Sequence, residues 1–173
     1  MRKPKSITNE QAEKIIRKMD QMDRLLFRFA IESGLRISDM LKLTVGDIKK
    51  TMTVLETKSK KDRTFKISGE LYTELKKFTK YKRRGSILFH SARSSSKPMH
   101  RTTIHRHIKK AVKTLKIDAS AHSTRKLYAH NVFSETHDIE KVQEALNHKY
   151  VTTTCSYLDI DLDKLIKSQL SNT

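Results

Sequence analysis

Met22, Leu25, Leu26, Phe29 and Ala30 recur at intervals of three, one, three and one residues. That spacing places them on one face of a helix with 3.6 residues per turn. The period returns at Leu71, Leu75 and Phe78, and again at Ile104, Ile108, Ala111, Val112 and Leu115. A chain patterned this way buries its apolar faces by packing helix on helix. It holds only four Gly and two Pro in 173 residues, and it shows no internal repeat and no low-complexity segment. The expectation is one domain over residues 1–173.

Taken in order, residues 1–7 form a basic lead-in. Thr8 or Asn9 can cap a first helix containing Ala12, Ile15, Ile16 and Met19. The Met22 helix follows and stops at Gly34, a common helix terminator. Residues 35–43 read as a short third helix. Residues 51–56 and 63–68 have strand character, and a basic turn lies between them, which predicts a β-hairpin. Residues 69–82 read as a helix and 83–97 as a loop around Ile87, Leu88 and Phe89. Helices are then expected over 102–115, 123–134, 138–147 and 158–170. The last is an amphipathic tail with Leu162, Leu165, Ile166 and Leu170. The predicted class is mostly α with a small antiparallel β-sheet, an α+β fold.

Charge narrows the partners. Lys and Arg number 37 against 19 Asp and Glu, a formal net charge of +18. A small domain so basic seeks polyanions. The basic residues are interspersed with acids and not gathered in one tail, which favours a folded domain with a basic face. Aromatic residues make up 6% of the chain, with no Trp, too few for a stacking platform that binds single strands. DNA, RNA and an anionic membrane surface are the candidate polyanions. No run approaches the roughly 20 apolar residues of a membrane span, so no membrane association is expected. No apolar core of a signal peptide follows the basic start. The single cysteine, Cys155, suits a reducing compartment, and the expected location is the cytoplasm. His100, His105 and His107 lack a carboxylate or cysteine to complete a metal site, so neither metal nor cofactor is expected.

Several polar residues exceed what a structural pattern needs. Arg36 follows Gly34. His122 and Arg125 lie three apart at a helix start and so share a face. His148 precedes Tyr157 by nine residues, and Lys58 sits on the hairpin tip. Guanidinium groups match phosphate oxygens bidentately. Arg and His donors stabilise the charge that builds on a phosphodiester in its transition state. Tyrosine can be the nucleophile, although its ordinary pKa of about 10 requires help from nearby cations or a base. A lysine can protonate the leaving 5′ oxygen. Lys60 and Lys61 stand beside Lys58 as alternative acids. Thr102, His105, Arg106 and Lys109 fall on the polar side of one helix, suited to a groove or backbone of DNA.

The segments Ser33–Asp39, Lys58–Arg63, His122–Arg125 and Leu146–Tyr157 together resemble the catalytic domain of the tyrosine recombinases, the phage integrase and Xer-like family. Order and spacing fit from about residue 6 to 160. The resemblance implies that Arg36 and Arg125 bind the scissile phosphate and that Asp39 supports the site. It makes Lys58 the general acid, with His122 and His148 at the phosphate and Tyr157 the attacking residue. Cleavage would leave a 3′-phosphotyrosyl bond and a free 5′ hydroxyl, without ATP or metal. DNA contacts are expected from Lys60, Lys61, Arg63 and Lys126 as well as the residues already named. Lys126 stands where the family often has histidine, which should alter a phosphate contact. Asn147 stands where it often has glycine, and Asn tolerates the left-handed conformation.

Further expectations concern assembly. The family's separate N-terminal core-binding domain is read as absent here. A tetramer on double-stranded DNA and a directionality factor are the expected protein partners. The tail helix, starting just after Tyr157, could fold on its own core or dock on a neighbouring protomer. Alternatives to recombination are a DNA-binding regulator that keeps the fold without strand exchange, and relaxation of the type IB topoisomerase kind.

Overall fold

The structure is a computed structural model and describes residues 6–161. Those residues are mostly helical with two small antiparallel hairpins, the class the pattern predicts. Helix α1 (Asn9–Ile16) starts from a reciprocal cap. Thr8 Oγ1 accepts from the Gln11 N–H, and the Gln11 side chain accepts from the Thr8 N–H. Helix α2 (Gln21–Ser33) starts at Asp20, whose carboxylate accepts from the Asp23 N–H. It ends at Gly34, in the left-handed conformation at φ +57°.

Beyond α2 the chain makes a four-residue helix, α3 (Ile37–Met40), and a 3₁₀ turn (Val45–Asp47). The predicted helix over 35–43 is therefore shorter than expected. Arg36 is extended, at φ −71° and ψ 143°, and sits outside the helix as its N-cap. Strands β1 (Thr51–Leu55) and β2 (Asp62–Lys66) pair antiparallel, with Met52 opposite Phe65 and Val54 opposite Arg63.

Helix α4 (Gly69–Phe78) stops short of the predicted residue 82. The Thr79 hydroxyl donates to the Leu75 carbonyl there and closes the helix. The expected loop over 83–97 contains a second hairpin, β3 (His90–Ser91) with β4 (Ser94–Pro98). Serine and lysine dominate these strands, so no apolar alternation marks them. Helices α5 (Arg101–Val112), α6 (Ala121–Thr136), α7 (Ile139–Ala145) and α8 (Val151–Leu158) complete the described chain. Tyr157 lies within α8, not ahead of the next helix as expected, because α8 ends only at Asp159. The rest of the predicted tail helix, from residue 162, lies outside the described residues.

Helix α2 is central. It packs on α6, α4 and β2. Phe29 is fully buried and meets the edges of Phe65 and Phe89 with ring centroids 5.8 and 5.9 Å away. Arg28 ties α2 to α4 through Glu74 at 2.7 Å and Glu70 at 3.4 Å. A second, smaller core of Ala129, Val142, Leu146 and Leu158 joins α6, α7 and α8.

Gly34 is closely enclosed by Tyr128 and Arg63. A Cβ there would overlap the Tyr128 ring and lie 2.7 Å from Arg63 Nη2. Its left-handed backbone also disfavours any side chain. Gly34→Ala should lower stability by about 2 kcal/mol, read as a fall in the denaturation midpoint at unchanged slope.

Candidate active site

The hinge of the site is a carboxylate that lies outside the sequence motifs. Glu56 follows β1 and is wholly buried. Its Oε1 lies 2.9 Å from Arg36 Nη1, 3.3 Å from Arg125 Nη1 and 3.5 Å from Arg63 Nη1. Its Oε2 accepts from Ser59 Oγ at 2.9 Å and from Asn147 Nδ2 at 3.2 Å. Burial would push this carboxyl up, but Arg125, Ser59, Arg36 and Asn147 outweigh it and hold it below the usual range. A signal for Glu56 did exist. Met52, Val54 and Glu56 share one parity in the strand, and Met52 faces the core.

Three guanidinium groups around one carboxylate leave two positive charges uncompensated within the cluster. Arg125 is 2% exposed. It donates to the carbonyls of Gly34 and of Leu146, the latter at 2.7 Å. Burial first, then the charges of Arg63 and Arg36, pulls its guanidinium down to about 10, so it stays cationic at neutral pH. Arg36 is the more open member, with 23% of its side chain exposed.

Arg63 was expected on the DNA face, and the structure corrects this. It is 4% exposed and donates to the carbonyls of Ser33 at 2.7 Å and Gly34 at 3.2 Å. Its guanidinium also stacks over Tyr128, 5.1 Å from the ring centroid. It is a structural clamp between β2 and the end of α2. The parity that buries Met52 across the ladder carries Arg63 inward beside Phe65.

Lys126 is the second correction. It was expected to touch phosphate, but it is buried and its Nζ lies 3.1 Å from Asp159 Oδ1. As the neighbour of Arg125 on α6 it points elsewhere on the helix.

Asp39 is 1% exposed. Its Oδ1 accepts from both the N–H and the hydroxyl of Thr57. It thereby anchors α3 to the turn that carries Lys58. Lys58 itself is exposed, as are Lys60 and Lys61. Lys60 is left-handed at φ +56°, and its N–H donates to the Glu56 carbonyl, which shapes the turn.

His122 opens α6 and remains exposed. Partial desolvation, followed by the charges of Arg125, Arg101, Arg36 and Lys58, holds its imidazole below the ordinary value. His148 sits after Asn147, which is left-handed at φ +48°, as its residue type permits. His148 Nδ1 is 3.1 Å from Thr154 Oγ1. Its ring meets Tyr157 edge to face, with centroids 4.8 Å apart at 68°. Burial first, then Arg125 and Arg36, lowers His148 to about 4. Both imidazoles are therefore largely neutral at pH 7.

Arg36, Arg125, His122, His148 and Tyr157 thus converge from α3, α6, the α7–α8 turn and α8. Thr102, His105, Arg106 and Lys109 stand apart on α5, whose other face buries Ile104, Ile108 and Ala111. His107, in contrast, turns inward to Asp23 at 2.7 Å. Among the described residues no group of three or more His, Cys, Asp or Glu is placed to hold a metal ion. No helix among them is long and apolar enough to cross a membrane.

Comparison with known proteins gives concordant results. A family model described as phage integrase family matches residues 5–163. The "Probable integrase/recombinase YoeC" of Bacillus subtilis is 32% identical over 157 residues, covering 89% of this chain and 86% of that protein. The "Tyrosine recombinase XerA" of Pyrococcus furiosus is 30% identical over 162 residues, covering 89% of this chain. The chain spans 57% of that relative's length. The crystal structure of the XerH site-specific recombinase bound to its difH substrate superposes with a TM-score of 0.75 at 21% identity. That match covers 96% of this chain and 54% of the XerH chain.

Two outcomes follow from the site's electrostatics. Glu56→Gln removes the anion from three guanidinium groups and should cost about 3 kcal/mol or more in denaturant titration. For His148, the folded-state pKa of about 4 lies below the ordinary 6.5, so acid favours the unfolded chain. Its contribution is whole above about pH 6.5 and is lost as pH falls toward 4. The stability gap between the parent and His148→Gln should narrow across that window.

Proposed function

Since this chain belongs to the phage integrase family and is a tyrosine recombinase catalytic domain, we propose that it cuts and rejoins duplex DNA through a covalent 3′-phosphotyrosyl intermediate. One observation carries the reading: Arg36 and Arg125 share the Glu56 carboxylate, their charges reach His148, and the His148 ring meets Tyr157.

Arg36 and Arg125 take the non-bridging oxygens of the scissile phosphate. A phosphate brings the negative charge that the cluster lacks. Arg36 is the arginine with exposed surface to offer. His148 and His122, being neutral, can each donate one N–H to a phosphate oxygen or accept one proton. Tyr157 Oη attacks phosphorus. The P–O5′ bond breaks as Tyr157 Oη bonds to phosphorus, the tyrosine proton passes to a neutral imidazole, and Lys58 gives a proton to the leaving 5′ oxygen. The bond energy stays in the phosphotyrosine. A free 5′ hydroxyl reverses these steps and rejoins a strand, so the cycle needs no ATP. Lys58 suits the acid because the Asp39–Thr57 bonds hold its turn beside the site. It also lies near enough to lower His122 by its charge.

Charge supports duplex DNA as the substrate. Residues 75–117 contain fourteen Lys and Arg and no Asp or Glu, and α5 lies within that stretch. Its exposed Thr102, His105, Arg106 and Lys109, with Lys60 and Lys61 of the hairpin turn, make the proposed contact surface. Assembly as a tetramer on DNA, a core-binding domain or directionality factor as partner, and a nucleoid location in the cytoplasm belong to the same reading.

The test is a duplex with a nick near the cleavage point, which traps the covalent adduct by losing a short fragment. The parent should give an adduct that survives denaturing electrophoresis. Tyr157→Phe should give none, at least 10³-fold less, while still binding. Failure of the parent to form adduct on any cognate site would overturn the reading. Binding should also weaken with salt at a log–log slope of about 0.9 per phosphate neutralised.

A further inference from the structure

Two neighbouring residues of α6 face different partners. Arg125 enters the carboxylate cluster, while Lys126 reaches Asp159. Asp159 is the residue that ends α8, two positions beyond Tyr157 and left-handed at φ +54°. Its N–H donates to the Cys155 carbonyl, and so does the N–H of Ile160 at 3.0 Å. The Lys126 side chain is 7% exposed and the Asp159 side chain 58%.

The backbone does not require a charge at position 159. Asn serves a left-handed cap as well as Asp does. A carboxylate at a helix C-terminus also opposes the helix dipole. The charge makes sense through Lys126, which is too buried to stand without an anion. His130, one turn further along α6, completes the group. Its Nε2 is buried without a hydrogen-bond partner among the described residues, and the charges of Asp159 and Lys126 both reach it.

The fastening adds to the packing of Thr154, Cys155 and Leu158 and of Tyr157 on the smaller core, and it is the ion pair at the C-terminal end of α8. Helix α8 has eight residues, four of them Val or Thr, and so little helical stability of its own. Its apolar hold is the small core where Leu158 meets Ala129, Val142 and Leu146. Its polar hold at the other end is the Thr154–His148 contact.

We propose that the Lys126–Asp159 ion pair is a positioning device for the nucleophile: it ties the C-terminal end of α8, and with it Tyr157, to the helix that carries His122 and Arg125. Phosphate and nucleophile are thereby referenced to one rigid element. A displacement of about 1 Å at such a site can cost up to 10²-fold in rate. The inference rests on Tyr157 as the attacking residue, and its test has one arm that does not need catalysis.

That arm is amide hydrogen exchange of the DNA-free protein. In Asp159→Asn, which keeps the left-handed cap, and in Lys126→Met, which keeps most of the buried volume, exchange across Val151–Leu158 should quicken about tenfold. Exchange in α2 should not change. The second arm is the rate of adduct formation, expected to fall about tenfold in both variants with DNA binding unchanged, and to recover in Asp159→Glu. A 5′-bridging phosphorothiolate, whose sulfur leaves without a proton, should rescue Lys58→Ala but neither Asp159→Asn nor Lys126→Met. Unchanged exchange in α8, or quickened exchange with unchanged adduct formation, would overturn the proposal. If the parent itself forms no adduct, the functional reading fails, and exchange alone decides whether the pair fastens α8.

Discussion

One buried carboxylate holds the site together. Glu56 meets guanidinium groups from three separate parts of the chain: the start of α3, strand β2 and helix α6. Without it, three like charges would crowd a region from which water is largely excluded. The Gly34 carbonyl does complementary work, because it accepts from both Arg63 and Arg125. Glycine there is needed twice, for the left-handed turn and for the room that Arg63 and Tyr128 take up. Together, Gly34 and Glu56 convert sequence-distant residues into one fixed array. The array sets three guanidinium groups against a single carboxylate, leaving it net positive.

Helix α6 transmits that order. It packs on α2, the centre of the larger core, and on α7 and α8, which form the smaller one. The site lies where the two cores meet. Arg125 reaches the Leu146 carbonyl across this boundary, and Asn147 reaches back to Glu56. The turn bearing His148 is therefore bound to the sheet side of the domain, although its apolar residues belong to the smaller core.

Much of this was legible in the sequence. Apolar periodicity located α1, α2, α4 and α5 because each buries one face, whereas α6 buries five consecutive residues, Ser123 to Leu127, and carries no such period. The class and the hairpin of β1 with β2 followed from the same patterns, and the arginine, histidine and tyrosine residues of the site stood out by motif. What failed has physical causes. The β3–β4 hairpin is held by backbone pairing of polar residues, so no side-chain period reveals it. Helix α8 falls between the expected helices over 138–147 and 158–170 because Thr and Ser disfavour helix, and packing of Thr154, Cys155 and Leu158 makes it one. Arg63 and Lys126 looked like phosphate ligands because residue type says nothing of direction. Their partners, Glu56 and Asp159, are 7 and 33 positions away in sequence. Glu56 was overlooked because an acid beside a basic turn resembles ordinary surface charge.

Helix α5 has a different kind of consequence. Its inner face, Ile104, Ile108 and Ala111, locks into the larger core, beside α1. Its outward Thr102, His105, Arg106 and Lys109 share no hydrogen bond with the arginine cluster among those described. Substitutions on that outer row can accumulate without disturbing either the core or the charge array. The outer row of α5 can therefore change while the buried charge array stays fixed.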